Sequence, residues 1–330
     1  MSMVQFFRKF MHKEEEVFPS SNCALRVSEA GHFSVAFCKQ SYYHYLFEGS
    51  EESLLTVPQK LVIEMVVNSL RKKEQRALAV PRLPSIIPKL LRSLRDPKSS
   101  ASDYVAIINK DPVMSAAVLK LANSAYFSPT GYHFEEIDKA VIKLGIDGLR
   151  SVLSAAVMQP IIQRESPYFS QTGQRLWLHS LNCAIACEAI GQTRQMDRYK
   201  VYLMGLVHDI GKITLFSELC KQFKLNSAGE HPGHSAFAPS MKKISAHLSY
   251  LIACDWNLPD DICYALKQQI GLNSLSELDK YGHLLYQANL ASEMYAITPT
   301  ANRKSLDPII DELNLPKTLW ATLDKIEVKI

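Results

Sequence analysis

The strongest constraint on this chain is a succession of short apolar runs spaced three and four residues apart, each cut off by proline, glycine or a capping side chain. Residues at that spacing gather on one face of a helix, whereas a strand needs alternation at every second position. Ser102 or Asp103 can cap a helix carrying Val105, Ile107 and Ile108 that ends near Asp111. Pro112 suits the first turn of the next helix, with Val113, Ala117, Val118 and Leu121 inward. Gly145 ends a helix bearing Ile137, Val141, Ile142 and Leu144, and Asp147 caps its successor with Leu149, Val152, Leu153 and Val157. Further helices are expected over about 172–191, 199–210, 239–255, 260–270, 280–296, 304–313 and 316–327, with a loop over about 224–238. No sustained strand periodicity competes, so the expected fold class is all-α.

Composition narrows the setting. An apolar share of 47% over 330 residues can bury a substantial core. The balance of 37 basic to 33 acidic residues leaves a formal charge of +4, without the concentrated basic stripe of a nucleic-acid binder. Arg71-Lys72-Lys73 reads as a solvated helix end. Seven cysteines with no Cys-x-x-Cys pair suggest reduced, buried thiols, and no apolar stretch approaches the roughly 20 residues of a bilayer span. With no apolar leader at its start, the chain is expected to be cytoplasmic.

Residues 1–78 read as a helical extension. Val4, Phe6, Phe7, Phe10 and Met11 form a short amphipathic helix there, and Leu61, Ile63, Met65, Val66 and Leu70 belong to a second. Pro81, Pro84 and Pro88 mark a boundary, after which Ile86, Leu90, Leu91 and Leu94 share a helical face.

The string that carries chemistry is Gly205-Leu206-Val207-His208-Asp209-Ile210-Gly211-Lys212. Adjacent His and Asp at a helix end offer an imidazole nitrogen and a carboxylate oxygen to one metal ion. Gly211 permits a sharp turn that would aim them, and Lys212 can meet a phosphate as a point charge. A buried histidine capped by aspartate would look identical, and both readings stay open. His179, Cys183 and Cys187 share one helical face, but ligands spaced evenly along a straight helix cannot converge on one ion, so the cysteines read as core thiols.

A histidine on one helix, a His-Asp pair on the next and a later aspartate resemble the metal-binding signature of the HD phosphohydrolase superfamily. The resemblance maps the first three onto His179, His208 and Asp209, and the fourth onto Asn289, an amide where the pattern carries Asp. Two-metal relatives similar to the HD-GYP phosphodiesterases have a histidine pair where this chain carries Gln268-Gln269; His247 is a loose match to another of their ligands. Upstream, Leu83-Pro84-Ser85-Ile86-Ile87-Pro88, Ile108-Asn109-Lys110-Asp111-Pro112-Val113-Met114, Leu121-Ala122-Asn123-Ser124-Ala125-Tyr126-Phe127 and Ala140-Val141-Ile142-Lys143-Leu144-Gly145-Ile146 resemble, in order, the HDOD domain.

That resemblance covers about residues 80–295. It implies an HDOD domain over 79–295, split into helical subdomains 79–165 and 166–295, with closing helices over 296–330. It implies a non-catalytic bacterial signal-transduction module acting on a signalling protein partner, with no cofactor or one weakly bound divalent ion (Mn, Fe, Ni, Zn or Mg) on His179, His208, Asp209 and, weakly, Asn289. One alternative is a metal-dependent phosphohydrolase of a nucleotide or related phosphate ester, with Asp209 and Lys212 as catalytic candidates. Another is a binder of a phosphate-bearing small molecule without hydrolysis. A homodimer stays open.

Overall fold

The computed structural model describes residues 35–48, 54–80, 100–109, 112–162, 168–226 and 233–327. The expected N-terminal amphipathic helix, the Pro81–Pro88 boundary and the helix with Ile86 and Leu90 lie outside them. The fold is all-α, with no strand among the described residues. In order come α1 (Val35–Leu46), α2 (Val57–Arg71), α3 (Lys73–Ala79), α4 (Ala101–Ile108), α5 (Pro112–Ala122) and α6 (Ile137–Ile162). There follow α7 (Thr172–Thr193), α8 (Arg198–Val207), α9 (Ile210–Asn226), α10 (Ala238–Asp255), α11 (Asp260–Gln268), α12 (Lys280–Ile297), α13 (Asp307–Glu312) and α14 (Leu319–Glu327).

The centre of the molecule is α7, apolar on nearly every side and buried from Leu176 to Gly191 with few breaks. Helices α8, α12, α6, α14 and α1 pack around it. Helices α4, α5 and α6 form a group joined to this core by polar contacts as well as apolar ones. Ser154 Oγ lies 2.8 Å from Tyr199 Oη, and Tyr126 donates to Glu188 at 2.8 Å. Gly145 adopts φ +68° and breaks α6 where the sequence placed a helix end. Of the apolar residues expected on that helix, Ile137 and Val141 are buried while Ile142 is 85% exposed.

Close helix approach explains two glycines. A methyl group on Gly205 would lie 2.6 Å from the Cys183 carbonyl, so α8 touches the α7 backbone directly. One on Gly211 would lie 2.3 Å from the Ser245 carbonyl of α10. Gly211 is therefore a contact point inside α9 rather than the sharp turn expected of it. Helix α9 itself corrects the expectation of a single helix over 199–210: the chain turns at His208-Asp209 and a new helix starts at once, burying Ile213, Leu215, Phe216, Leu219 and Phe223. Of the expected 224–238 loop, the start belongs to α9, which reaches Asn226, His234–Ala236 form a 3-10 turn and Ala238 opens α10, while 227–232 lie outside the described residues.

The segment before residue 80 packs on the α7–α12 half. Cys38, Tyr42 and Leu46 recur every four residues on the buried face of α1, joined by Tyr43 and Phe47. The end of α1 clasps the start of α7: Thr172 donates to the Leu46 carbonyl at 2.6 Å, and the Glu48 carboxylate accepts from the Gln171 amide at 2.6 Å, at the positive end of the helix dipole. Thr56 and Gln59 close a capping box on α2. This helix buries Gln59, Val62, Val66 and Leu70, leaving Leu61 and Met65 exposed against expectation, since apolar residues ring it and periodicity alone did not select a face. Arg76 of α3 is buried and donates to the Leu70 and Arg71 carbonyls that end α2 and to Asp255 at the end of α10, at 2.8 Å. Arg71-Lys72-Lys73 is solvent-exposed as expected. Cys254 departs from the expectation of buried thiols and is exposed. Among the described residues no helix is long and apolar enough to cross a membrane.

Two predictions follow from this packing. Gly205→Ala forces α8 off α7 and lowers unfolding free energy by about 1–3 kcal/mol or more, read from guanidinium denaturation. Tyr42 is fully buried but its hydroxyl has no hydrogen-bond partner among the described residues. Tyr42→Phe is therefore at least as stable as wild type, whereas Tyr42→Ala loses about 3–5 kcal/mol in the same measurement.

Candidate metal centre

Three helical segments bring the predicted side chains together. His179 projects from the buried face of α7. His208 caps α8, still in helical conformation at φ −57° and ψ −33°, so that Asp209 stands at the head of α9. Asn289 arrives from α12, which crosses α7. His179 Nε2 and His208 Nε2 are 3.2 Å apart, and each is 3.0 Å from Asn289 Oδ1. Asp209 presents Oδ2 at 3.4 Å from His179 Nε2 and Oδ1 at 3.5 Å from His208 Nε2. His179, His208 and Asp209 form a buried cluster able to hold a metal ion, to which Cys183 and Cys187 do not belong.

The arrangement fits one ion. Bonds of about 2.0–2.1 Å to a central ion set neighbouring donors about 3.0–3.4 Å apart, close to the spacings found. His208 Nδ1 sits 2.7 Å from the Gly205 carbonyl, and only an N–H can satisfy that contact. Its Nε2 lone pair then faces the centre, as a ligating histidine requires. An Nε2 lone pair and the Asn289 carbonyl oxygen at 3.0 Å repel each other unless a cation or a proton lies between them. Burial opposes charging His208, but the Asp209 carboxylate and the Cys183 sulfur together outweigh it and lift the pKa to about 10. Burial lowers the pKa of His179. Asp209 is held well below the usual carboxylate range despite burial, because His208, Lys212 and His179 surround it.

Lys212 is the strongest neighbour of the cluster. Its buried ammonium donates to Asp209 Oδ2 at 2.6 Å and lies 5.1 and 5.6 Å from the ring centroids of Tyr42 and Tyr43. The charge expected to meet a phosphate is thus committed to the Asp209 carboxylate. Gln268 and Gln269 are committed too. The Gln268 amide spans the Glu277 carbonyl and the Asp279 amide, and that of Gln269 bonds the Ala265 and Gly282 carbonyls. They fasten the segment between α11 and α12. His247 is exposed on α10 and lines a cleft of 580 Å³ whose floor includes His208, Asp209, Lys212 and Asn289.

Sequence reasoning missed three contributors. Tyr42 places its ring 4.7 Å from that of His179, centroid to centroid, and Tyr43 walls the cleft beside Lys212. Nothing local in the α1 sequence signals a contact with residues so far along the chain. The third, Glu293, lies one turn beyond Asn289 on α12, buried and facing the same cleft. Its i+4 spacing from Asn289 was a signal available in the sequence.

An uncharacterized protein of Treponema pallidum (strain Nichols) is 24% identical over 220 residues, covering 65% of this chain and 42% of that relative. The chain thus spans less than half the length of the curated relative it matches. A solved structure from Shewanella amazonensis SB2B, whose name proposes a metal-dependent phosphohydrolase, aligns with a TM-score of 0.58 at 19% identity, covering 81% of this chain and 99% of that one. An HDOD domain protein of unknown function from Geobacter sulfurreducens aligns with a TM-score of 0.54 at 18% identity, covering 82% and 98%. At these identities the likeness is one of fold. The family model for the HDOD domain matches residues 80–270, more than half of the sequence, and the chain belongs to the HDOD domain family.

Proposed function

We propose that this chain is a signal-transduction module that works through protein contacts and does not turn over a substrate at its HD-derived centre. The observation that carries the reading is the commitment of the centre's charge. Asp209, the one carboxylate in the cluster of metal-capable donors, is paired with Lys212 at 2.6 Å, and the position of a second carboxylate holds Asn289. An amide is a weaker donor than a carboxylate and brings no charge to offset a divalent ion. Any ion held there rests on His179, His208, Asp209 and the Asn289 carbonyl. Such an ion supplies hydrolytic chemistry elsewhere by acidifying a bound water and polarising a phosphoryl oxygen. Gln268 and Gln269, tied to backbone groups, support no second ion. A family fold alone does not carry an activity across.

A phosphatase and phosphodiesterase screen with Mn²⁺ tests this. Wild type, His208→Ala and a metal-free control are expected to release p-nitrophenol from mono- and bis-p-nitrophenyl phosphate at the same background rate. Metal-dependent turnover that disappears in His208→Ala overturns the reading and restores the phosphohydrolase.

A second reading rests on the cleft, where Lys39, Lys242, Lys243 and His247 stand around the 580 Å³ opening. This cationic rim favours a phosphate-bearing small molecule held without hydrolysis. On that reading guanine and adenine nucleotides raise the melting temperature of wild type, and Lys242→Glu abolishes the rise. No shift with any nucleotide removes it.

A further inference from the structure

One buried carboxylate beside the centre is only partly satisfied. Glu293 is 4% exposed, and its Oε2 has no hydrogen-bond partner among the described residues. Burying a carboxylate with a free oxygen is unfavourable unless a cation or a set of donors compensates it. Lys212 feels the Glu293 carboxylate electrostatically but gives its hydrogen bond to Asp209. Glu293 follows Asn289 by four residues on α12, so both side chains lie on one helical face, and both line the cleft that His208, Asp209 and Lys212 floor.

The contact between these two residues sets the polarity of the centre. Glu293 Oε1 lies 3.5 Å from Asn289 Nδ2. That is long for a hydrogen bond, but a carboxylate oxygen accepts, so the NH₂ is the amide end that suits it. The carbonyl oxygen is thereby turned toward His179 and His208, 3.0 Å from each Nε2. The opposite flip would set two oxygens against each other and present N–H groups to the cation position.

We propose that Glu293 is the second carboxylate of a divalent-cation site, displaced by one helical turn: Asn289 contributes the oxygen that faces the ion, and Glu293 holds its amide and contributes the missing charge. Glu293 is a positioning residue in this scheme. The donor set of two imidazole nitrogens, one carboxylate and one amide oxygen, without thiolate, suits a first-row divalent ion such as Mn²⁺ or Zn²⁺. The inference concerns binding alone and holds whether or not the centre turns over a substrate.

Calorimetric titration of metal-free full-length protein with Mn²⁺ tests it, using wild type, Glu293→Gln, Asn289→Asp and the double variant. Wild type is expected to bind one ion, and Glu293→Gln to bind it about 10–100-fold more weakly, as for loss of an outer-shell partner. Asn289→Asp/Glu293→Gln is expected to recover at least wild-type affinity, because the charge has moved back by one turn. Metal-free Glu293→Gln should melt no lower than wild type, which separates loss of the ion from loss of the fold. Equal affinity of wild type and Glu293→Gln overturns the proposal, as does a loss that the second substitution does not repair. Absence of Mn²⁺ binding by wild type overturns it too, while leaving the non-catalytic reading in place, since that reading is judged by turnover.

Discussion

A lysine ammonium and an aspartate carboxylate meet 2.6 Å apart in the interior, and much of the surrounding architecture is what such a pair needs. Taking two charges out of water is costly, and their attraction repays the cost only with close geometry and further polar contacts. Here Asp209 also faces both histidines, while Lys212 lies over the rings of Tyr42 and Tyr43. The rings come from α1, so the helix before the matched HDOD region forms one wall of the centre. Its clasp on α7, through Glu48, Thr172 and the Leu46 carbonyl, holds those rings in place.

Backbone proximity makes the pair possible. The His208-Asp209 turn has to reach α7 on one side and α10 on the other within a single step of chain. Gly205 and Gly211 flank it and remove the side chains that would keep the helices apart. The Gly211 amide then donates to the Ser249 hydroxyl oxygen at 2.9 Å, so α10 satisfies an otherwise unpaired group at the start of α9. The motif is therefore a packing device as much as a ligand set: its glycines close the helices and its charged residues fill the space between them.

What the sequence made legible follows from whether the information was local. Gly145 as a helix break, the extent of α7 and α12, and the encounter of His179, His208 and Asp209 rest on short-range periodicity or on a family resemblance. Helix α9 was missed because Gly211 was read for its conformational freedom, when its role is the absence of a side chain against Ser245. The buried face of α2 was misread because Leu61 and Met65 match Val62 and Val66 in hydrophobicity, and only tertiary contacts choose between them. Tyr42 and Tyr43 were invisible as site residues for the same reason. Glu293 was legible by spacing, but its meaning depends on the amide beside it.

These observations bear on what a His-Asp motif implies. Removing one partner of a buried ion pair costs about 3–5 kcal/mol, against a net stability of roughly 5–15 kcal/mol for a folded domain. Asp209 and Lys212 can thus be accounted for by stability alone. His208, hydrogen-bonded to the Gly205 carbonyl, and His179, packed on Tyr42, are likewise integral to the core. A centre built this way keeps its shape whether or not it performs chemistry. The informative positions are then the two on α12: Asn289, an amide that faces both imidazoles, and Glu293, a buried carboxylate with one oxygen lacking a hydrogen-bond partner among the described residues.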